Sequence, residues 1–285
     1  MTIAAMARPR RLRRWSVLPG FGPALGFTLF YLSLIVLIPL AALFLKAAEA
    51  DPATVWRILS DPRVAAAFRL TFGASAVAAL VNTVFGLVIA WLLVRYQFWG
   101  RRLIDAMVDL PFALPTAVAG VALAALTARN GWVGSVFAPF GVDIAFTEIG
   151  IVVALIFVGI PFVVRTVQPV LQDLEPELEE AAATLGAGRW QTFAKVTFPA
   201  LAPAILTGFG LAFARAIGEY GSVIFIAGNR PGSTEIIPLL IVIKLEEFDY
   251  RGAAVVAVAT LIASFALLVA INLLQRRLGA HLERD

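Results

Sequence analysis

Glu180-Ala181-Ala182-Ala183-Thr184-Leu185-Gly186, followed after nine residues by Val196-Thr197-Phe198-Pro199, stands in a polar loop between two membrane-length apolar segments. Upstream, Glu175-Pro176 suits a helix start, because proline fits the first helical position and carboxylates favour the N-terminal end of the helix dipole. Leu171, Leu174, Leu178, Ala181, Ala182 and Leu185 recur at three- and four-residue spacing, with Glu177, Glu179 and Glu180 between them, which predicts an amphipathic helix. Gly186 is placed to take the left-handed conformation that ends it, and residues 189–196 predict a second short helix before Pro199. Alanines at 181 to 183 leave little bulk, so another surface can approach closely. Helices that lie on a membrane usually carry lysine and arginine on the polar face, whereas this one is acidic. The loop reads as a docking element.

Around it the chain is a membrane protein. Hydrophobic residues make up 60% of the 285, against roughly 45–50% in a soluble domain. Runs without any Asp, Glu, Lys or Arg cover 25–45, 70–94, 110–128, 149–164, 196–214 and 252–275, each near or above the roughly 20 residues that cross a hydrocarbon core. Lipid offers no partner to backbone groups outside a helix or closed barrel, so the expected fold is all-α with six transmembrane helices, about 25–46, 70–95, 107–128, 148–168, 200–228 and 252–275. These form one membrane domain, 25–275, with the docking loop at 170–199 and tails at 1–24 and 276–285. The first apolar run, 21 residues long, exceeds the roughly 7–15 of a signal-peptide core, so it is expected to be retained.

With the N-terminus inside, the inner segments carry 14 Lys and Arg and the outer segments 8, which places both termini in the cytoplasm. Arginines gather at helix ends rather than on an aromatic-interleaved face, so the net charge of +4 points to lipid headgroups and not to nucleic acid. No cysteine is present and the one histidine is His281, which excludes disulfides, thiolate or His-cluster metal sites and a His-based triad. None of the three lysines, Lys46, Lys195 and Lys244, follows a glycine as a phosphate-cradling loop requires, so energy must come from a partner or an ion gradient.

Prolines at 39, 111, 115 and 161 imply kinks whose freed carbonyls need neighbouring protein. A continuous helix over 196–229 would run about 51 Å against a core of about 30 Å, so either its first turns project from the membrane or it breaks near Gly218 and Gly221. Arg215 and Glu219, four apart on that segment, share a face, and Glu219 lies about 15 Å from the outer end. Two roles stay open for them: a contact with a passing anion, or an ion pair that locks helix packing. Asp109 and Arg165 are expected near the inner face, either paired with each other or with the arginine extended to the headgroups. Asn82 and Asn272 are expected to bond between helices.

Glu180-Ala181-Ala182, Gly186 and the hydrophobic-x-hydrophobic-Pro ending at Pro199 resemble the EAA loop of type I ATP-binding-cassette (ABC) importer permeases, with Val196 and Phe198 where that family often has Ile and Leu. Residues 109–120, 160–171 and 218–229 resemble, more narrowly, the T-subunit branch of the sulfate/thiosulfate permeases. The resemblance implies that Glu180, Ala181, Ala182, Gly186 and Pro199 belong to a coupling helix seated in an ATPase subunit. It also implies a second, homologous permease subunit, two copies of the ABC ATPase, which carry the ATP and Mg, and a periplasmic sulfate/thiosulfate-binding protein. This chain would then hold no cofactor and catalyse nothing. Molybdate or tungstate is the closest alternative cargo; an ion-coupled secondary carrier working alone is the more distant alternative, and it predicts internal repeats that the sequence does not show.

Overall fold

The computed structural model describes residues 20–282; most of the N-terminal tail, 1–19, and the last three residues lie outside the described ones. The chain divides into two compact units, Met1–Leu45 and Lys46–Asp285. The first consists, among its described residues, of most of α1 (Phe21–Ala48), a helix with one π-helical stretch, Ser33–Leu37, just before Pro39. A proline cannot donate to the carbonyl four residues back, and a wider turn absorbs that lost bond.

The second unit contains helices and no strand among its described residues. Its helices are α2 (Pro52–Leu59), α3 (Pro62–Arg95), α4 (Arg101–Val108), α5 (Leu110–Ala113), α6 (Thr116–Thr127), α7 (Gly134–Phe137), α8 (Glu148–Asp173), α9 (Pro176–Thr184), α10 (Arg189–Ile217), α11 (Val223–Ile226), α12 (Ile237–Glu246) and α13 (Tyr250–Leu282). Among the described residues five helices, α1, α3, α8, α10 and α13, are long and apolar enough to cross a membrane.

The centre is α3, α8 and α10. Gly86 of α3 and Gly208 of α10 both abut Val163 of α8, so close that a Cβ would come within 2.8 Å of the Val163 side chain in one case and 3.0 Å of its Cα in the other. Gly159, one turn earlier on α8, faces Asn82 of α3 and Ala212 of α10. Contacts that rise together along α3 and α8 and run oppositely along α10 make the first two parallel and the third antiparallel. Small residues permit this approach where lipid supplies no hydrophobic drive between helices. Asn82 is buried in the seam with Oδ1 unpartnered, while Asn272 is exposed on α13 and forms no interhelical bond among the described contacts.

Several boundaries differ from expectation. Helix α3 begins at Pro62 rather than near 70, because Asp61 caps it by accepting from the Arg63 amide (2.7 Å) and proline occupies the first turn. The Arg63 this draws into the helix forks onto Glu235, with Nε and Nη2 each 2.7 Å from a carboxylate oxygen. The third expected span, 107–128, is not one helix: Pro111 and Pro115 divide it into the end of α4, α5 and α6, with Leu114 extended ahead of Pro115. At about 1.5 Å per residue α6 reaches about 18 Å, short of a full crossing. Of the two alternatives for the fifth segment, the break is found: α10 runs from Arg189 to Ile217 and stops at Gly218, before the short α11. Residues 228–251, expected to be loop, contain α12, whose Ile237 and Leu240 are fully buried. Helix α13 continues to Leu282, through the stretch 276–282 expected as tail.

Candidate coupling loop and paired charges

Helix α9 starts at Pro176 with Glu175 extended before it, and it closes with two nested hydrogen bonds. The Gly186 amide donates to Ala183 O (3.0 Å) and the Ala187 amide to Ala182 O (3.0 Å), with Gly186 at φ +84°. This is the Schellman arrangement, and it places a glycine where an L side chain would be strained. Leu171 proves to be a buried residue of α8 rather than part of α9's apolar stripe. The stripe that remains is open: Leu178 is 48% exposed, Leu185 89%, and Trp190 at the start of α10 76%. Glu180 and Ala181 are exposed beside it and Ala182 is half-buried. Pro199 lies within α10, just after a π-helical turn, Phe193–Thr197, that accommodates its missing amide.

One carboxylate of α9 turns inward, and it is not one that the sequence pattern singles out. Glu179 Oε1 accepts from Arg95 Nη2 (2.6 Å) at the end of α3 and from Thr197 Oγ1 (3.1 Å) in α10. Arg95 also lies over the Trp91 ring, 5.5 Å from its centroid.

Arg165 pairs with Asp109, Nε to Oδ1 at 2.8 Å and Nη2 to Oδ2 at 2.6 Å, in a forked geometry. Its Nη1 reaches Asp105 (2.6 Å) and Gln168 (2.7 Å), and Nη2 also donates to the Asp105 carbonyl (2.9 Å). Asp105 was not anticipated, although its spacing of four from Asp109 was the available signal. The cluster ties α8 to the junction of α4 and α5.

Arg215 and Glu219 meet, Nη1 to Oε2, at 2.6 Å. They do not share a helix: α10 ends at Ile217, and Glu219 sits in the break after it. There its other oxygen accepts from the Ser222 amide (2.9 Å) and hydroxyl (2.8 Å), so a carboxylate 2% exposed is fully paired. Arg215 stays 34% exposed. The break is packed on α6, since a Cβ on Gly120 would fall 2.3 Å from Ser222 O and one on Gly221 2.1 Å from Thr116 Oγ1.

Parallel and antiparallel apolar helices around a broken segment, with a short amphipathic helix held out on one loop, define a multi-span membrane protein. The family model described as "Binding-protein-dependent transport system inner membrane component" matches residues 82–284, and the chain belongs to that family. The sulfate transport system permease protein CysT of Escherichia coli (strain K12) is 52% identical over 92% of this chain and 95% of that protein. CysT of Synechocystis sp. is 49% identical over 94% and 93%. Among solved structures, a bacterial ABC transporter involved in import of the acidic polysaccharide alginate superposes with a TM-score of 0.74 at 16% identity, over 90% of this chain and 94% of that one. The MetNI methionine ABC transporter, in an inward facing conformation, gives 0.58 at 19% identity over 77% and 99%.

Proposed function

We propose that this chain is a permease subunit of an ATP-driven importer that moves sulfate or thiosulfate into the cytoplasm. The observation that carries the reading is the α9 loop, whose apolar side is open while its body is fastened to two spans; identity of 52% to a sulfate permease over nearly the whole length supports the cargo. The partners that fit are a homologous permease subunit, two copies of an ABC ATPase and a periplasmic sulfate- or thiosulfate-binding protein. ATP and Mg belong to the ATPase, which receives Leu178, Leu185 and Trp190 in a cleft of its surface, with Glu180, Ala181, Ala182 and Gly186 at the contact. The excess of Lys and Arg on that side supports cytoplasmic termini in a bacterial inner membrane.

Closure of the ATPase pair on ATP then displaces α9, and the attached spans turn the cargo path from one side of the membrane to the other. At the break after α10, Glu219 holds Arg215 while this chain leaves the guanidinium partly uncovered, which suits a weak, passing interaction with a dianion. A carboxylate so close to an anion path disfavours a tight site, in keeping with selectivity lodged in the binding protein.

Copurification tests the class, and uptake into vesicles tests the cargo. An ABC ATPase is expected in the purified complex, and labelled sulfate should accumulate only with ATP and the binding protein. Uptake that molybdate supports and sulfate does not would replace the cargo; uptake by the chain alone under an ion gradient would replace the class. Arg215→Gln should raise the half-saturating load of charged binding protein if the guanidinium meets the anion, and leave it unmoved if the pair only shapes the break.

A further inference from the structure

Glu177, Glu179 and Glu180 are chemically alike, yet among the described contacts Glu179 alone of the three hydrogen-bonds beyond α9. Among the described residues no other α9 side chain hydrogen-bonds outside that helix; the Thr184 hydroxyl turns back to Ala181 O. The two groups that Glu179 engages belong to different spans: Arg95 is the last residue of α3, and Thr197 is a buried residue of α10. An aromatic floor supports the junction. Trp91 beneath the guanidinium meets Phe193 edge-on at 5.6 Å, and Phe193 stacks on Trp190 at 5.6 Å and touches Phe198 at 6.0 Å. A cavity of about 300 Å³, lined in part by Trp91, Glu179, Ala183, Phe193 and Thr197, separates α9 from closer apolar packing. Across that gap the polar contact is the stiff one, because a charge-assisted bond of 2.6 Å fixes direction as well as distance.

We infer that Glu179, with Arg95 and Thr197, is the positioning joint that carries displacement of α9 into α3 and α10 at once. Glu180, exposed and unpaired among the described contacts, then serves the partner's surface, and Glu179 serves the interior. The inference rests on the reading of α9 as the helix that meets the ATPase.

The test uses the complete complex in vesicles and two readouts. The first is sulfate accumulated per ATP hydrolysed. Glu179→Gln should keep the ATPase in the complex but lower that ratio at least about tenfold, and the exchanged pair Arg95→Glu with Glu179→Arg should recover it to within about threefold of the parent. A ratio within about twofold of the parent in Glu179→Gln, an exchanged pair no better than Glu179→Gln, or loss of the ATPase from the purified variant would each overturn the inference. The second readout needs no cargo. The chain has no native cysteine, so spin labels on Glu177→Cys and Trp99→Cys report the distance from α9 to the turn that follows α3 with and without ATP. That distance should hold within about 2 Å in the parent and spread by about 5 Å in Glu179→Gln, and an equal spread in both would overturn the joint. Labels that behave as expected beside absent sulfate uptake would overturn the cargo alone.

Discussion

Beside each end of α10 lies a glutamate paired with an arginine, Glu179 of α9 at one end and Glu219 of the break at the other, and the pairs differ in kind. Glu179 bonds to Arg95, 84 residues away, and to Thr197 in another helix; Glu219 bonds to Arg215 and Ser222, four and three residues away. Glu219 is much the more buried, which by itself suggests importance. Burial, however, measures the desolvation a charge must offset, whereas the span of the contact determines what it can transmit. A local pair fixes the shape of one turn. A pair between elements far apart in sequence makes them move together. Loss of Glu219 should therefore appear as lost stability with coupling preserved, and loss of Glu179 as lost coupling with stability largely preserved.

The hardest blow to the local end is steric. Gly120→Val would drive a side chain into the backbone carbonyl of Ser222, which has no room to retreat because Gly221 is itself pressed on Thr116. Overpacking of this kind is expected to cost about 3 kcal/mol, measured as a lower denaturation midpoint of the purified complex and a smaller yield of monodisperse protein. If Gly120→Val matched its parent, the tight seat of the break on α6 would be wrong.

Glu219→Gln comes next. The amide keeps an oxygen for the Ser222 donors but leaves Arg215 without its counter-charge, at a cost of about 2 kcal/mol. Transport per ATP should stay within about twofold of the parent. A coupling defect as deep as that expected for Glu179→Gln would erase the contrast between the two ends.

That contrast was only half legible in the sequence. The amphipathic helix, its glycine stop and the proline after it follow from periodicity and turn chemistry, and α9 ends at Gly186 as expected. Glu179 could not be ranked above its neighbours, because what selects it is the arrival of Arg95 and Thr197 in three dimensions. The early start of α3 had a visible cap in Asp61-Pro62, but Arg63 and Arg69 disguise the segment, and Glu235, which neutralises Arg63, lies 172 residues away. Pro111 and Pro115 were visible as kinks; that two of them four residues apart divide the span follows from their combined loss of amides and from the extended Leu114. The run 236–243 was apolar but too short to cross a membrane, and what buries it is distant in sequence: the Ile237 amide donates to the Thr71 hydroxyl (2.9 Å), 166 residues away.

A third junction stands between the two extremes. Arg165 bridges α8 to Asp105 and Asp109, 60 and 56 residues away, yet all three side chains are one-third to one-half exposed. Arg165→Ala would leave two carboxylates at a spacing of four facing each other, and solvent screening limits the penalty to about 1 kcal/mol. Added salt should shrink the difference between variant and parent, because a screened repulsion is what remains. A salt-independent loss would mean that the arginine acts through packing of its stem.

The smallest effect isolates a purely local carboxylate outside the spans. Asp249 precedes α13, accepting from the Gly252 amide (2.9 Å) and pairing with Lys244 (3.1 Å). Partial burial pushes its acidity toward the neutral form, but the amide and the ammonium outweigh that, and its pKa lies below the ordinary carboxylate value. A depressed folded-state pKa contributes stability above the unfolded value of about 3.9 and loses it as pH falls toward the folded one. Asp249→Asn keeps an oxygen for the Gly252 amide and removes the titration, so at neutral pH it should cost only a few tenths of a kcal/mol. Its stability curve should flatten relative to the parent as pH is lowered through about 4, and an unchanged slope would place the acid-sensitive groups elsewhere. Transport per ATP should not respond at all, since the contact closes the first turn of α13 and joins it only to Lys244 in the adjoining helix α12, on the side of the bundle away from α9.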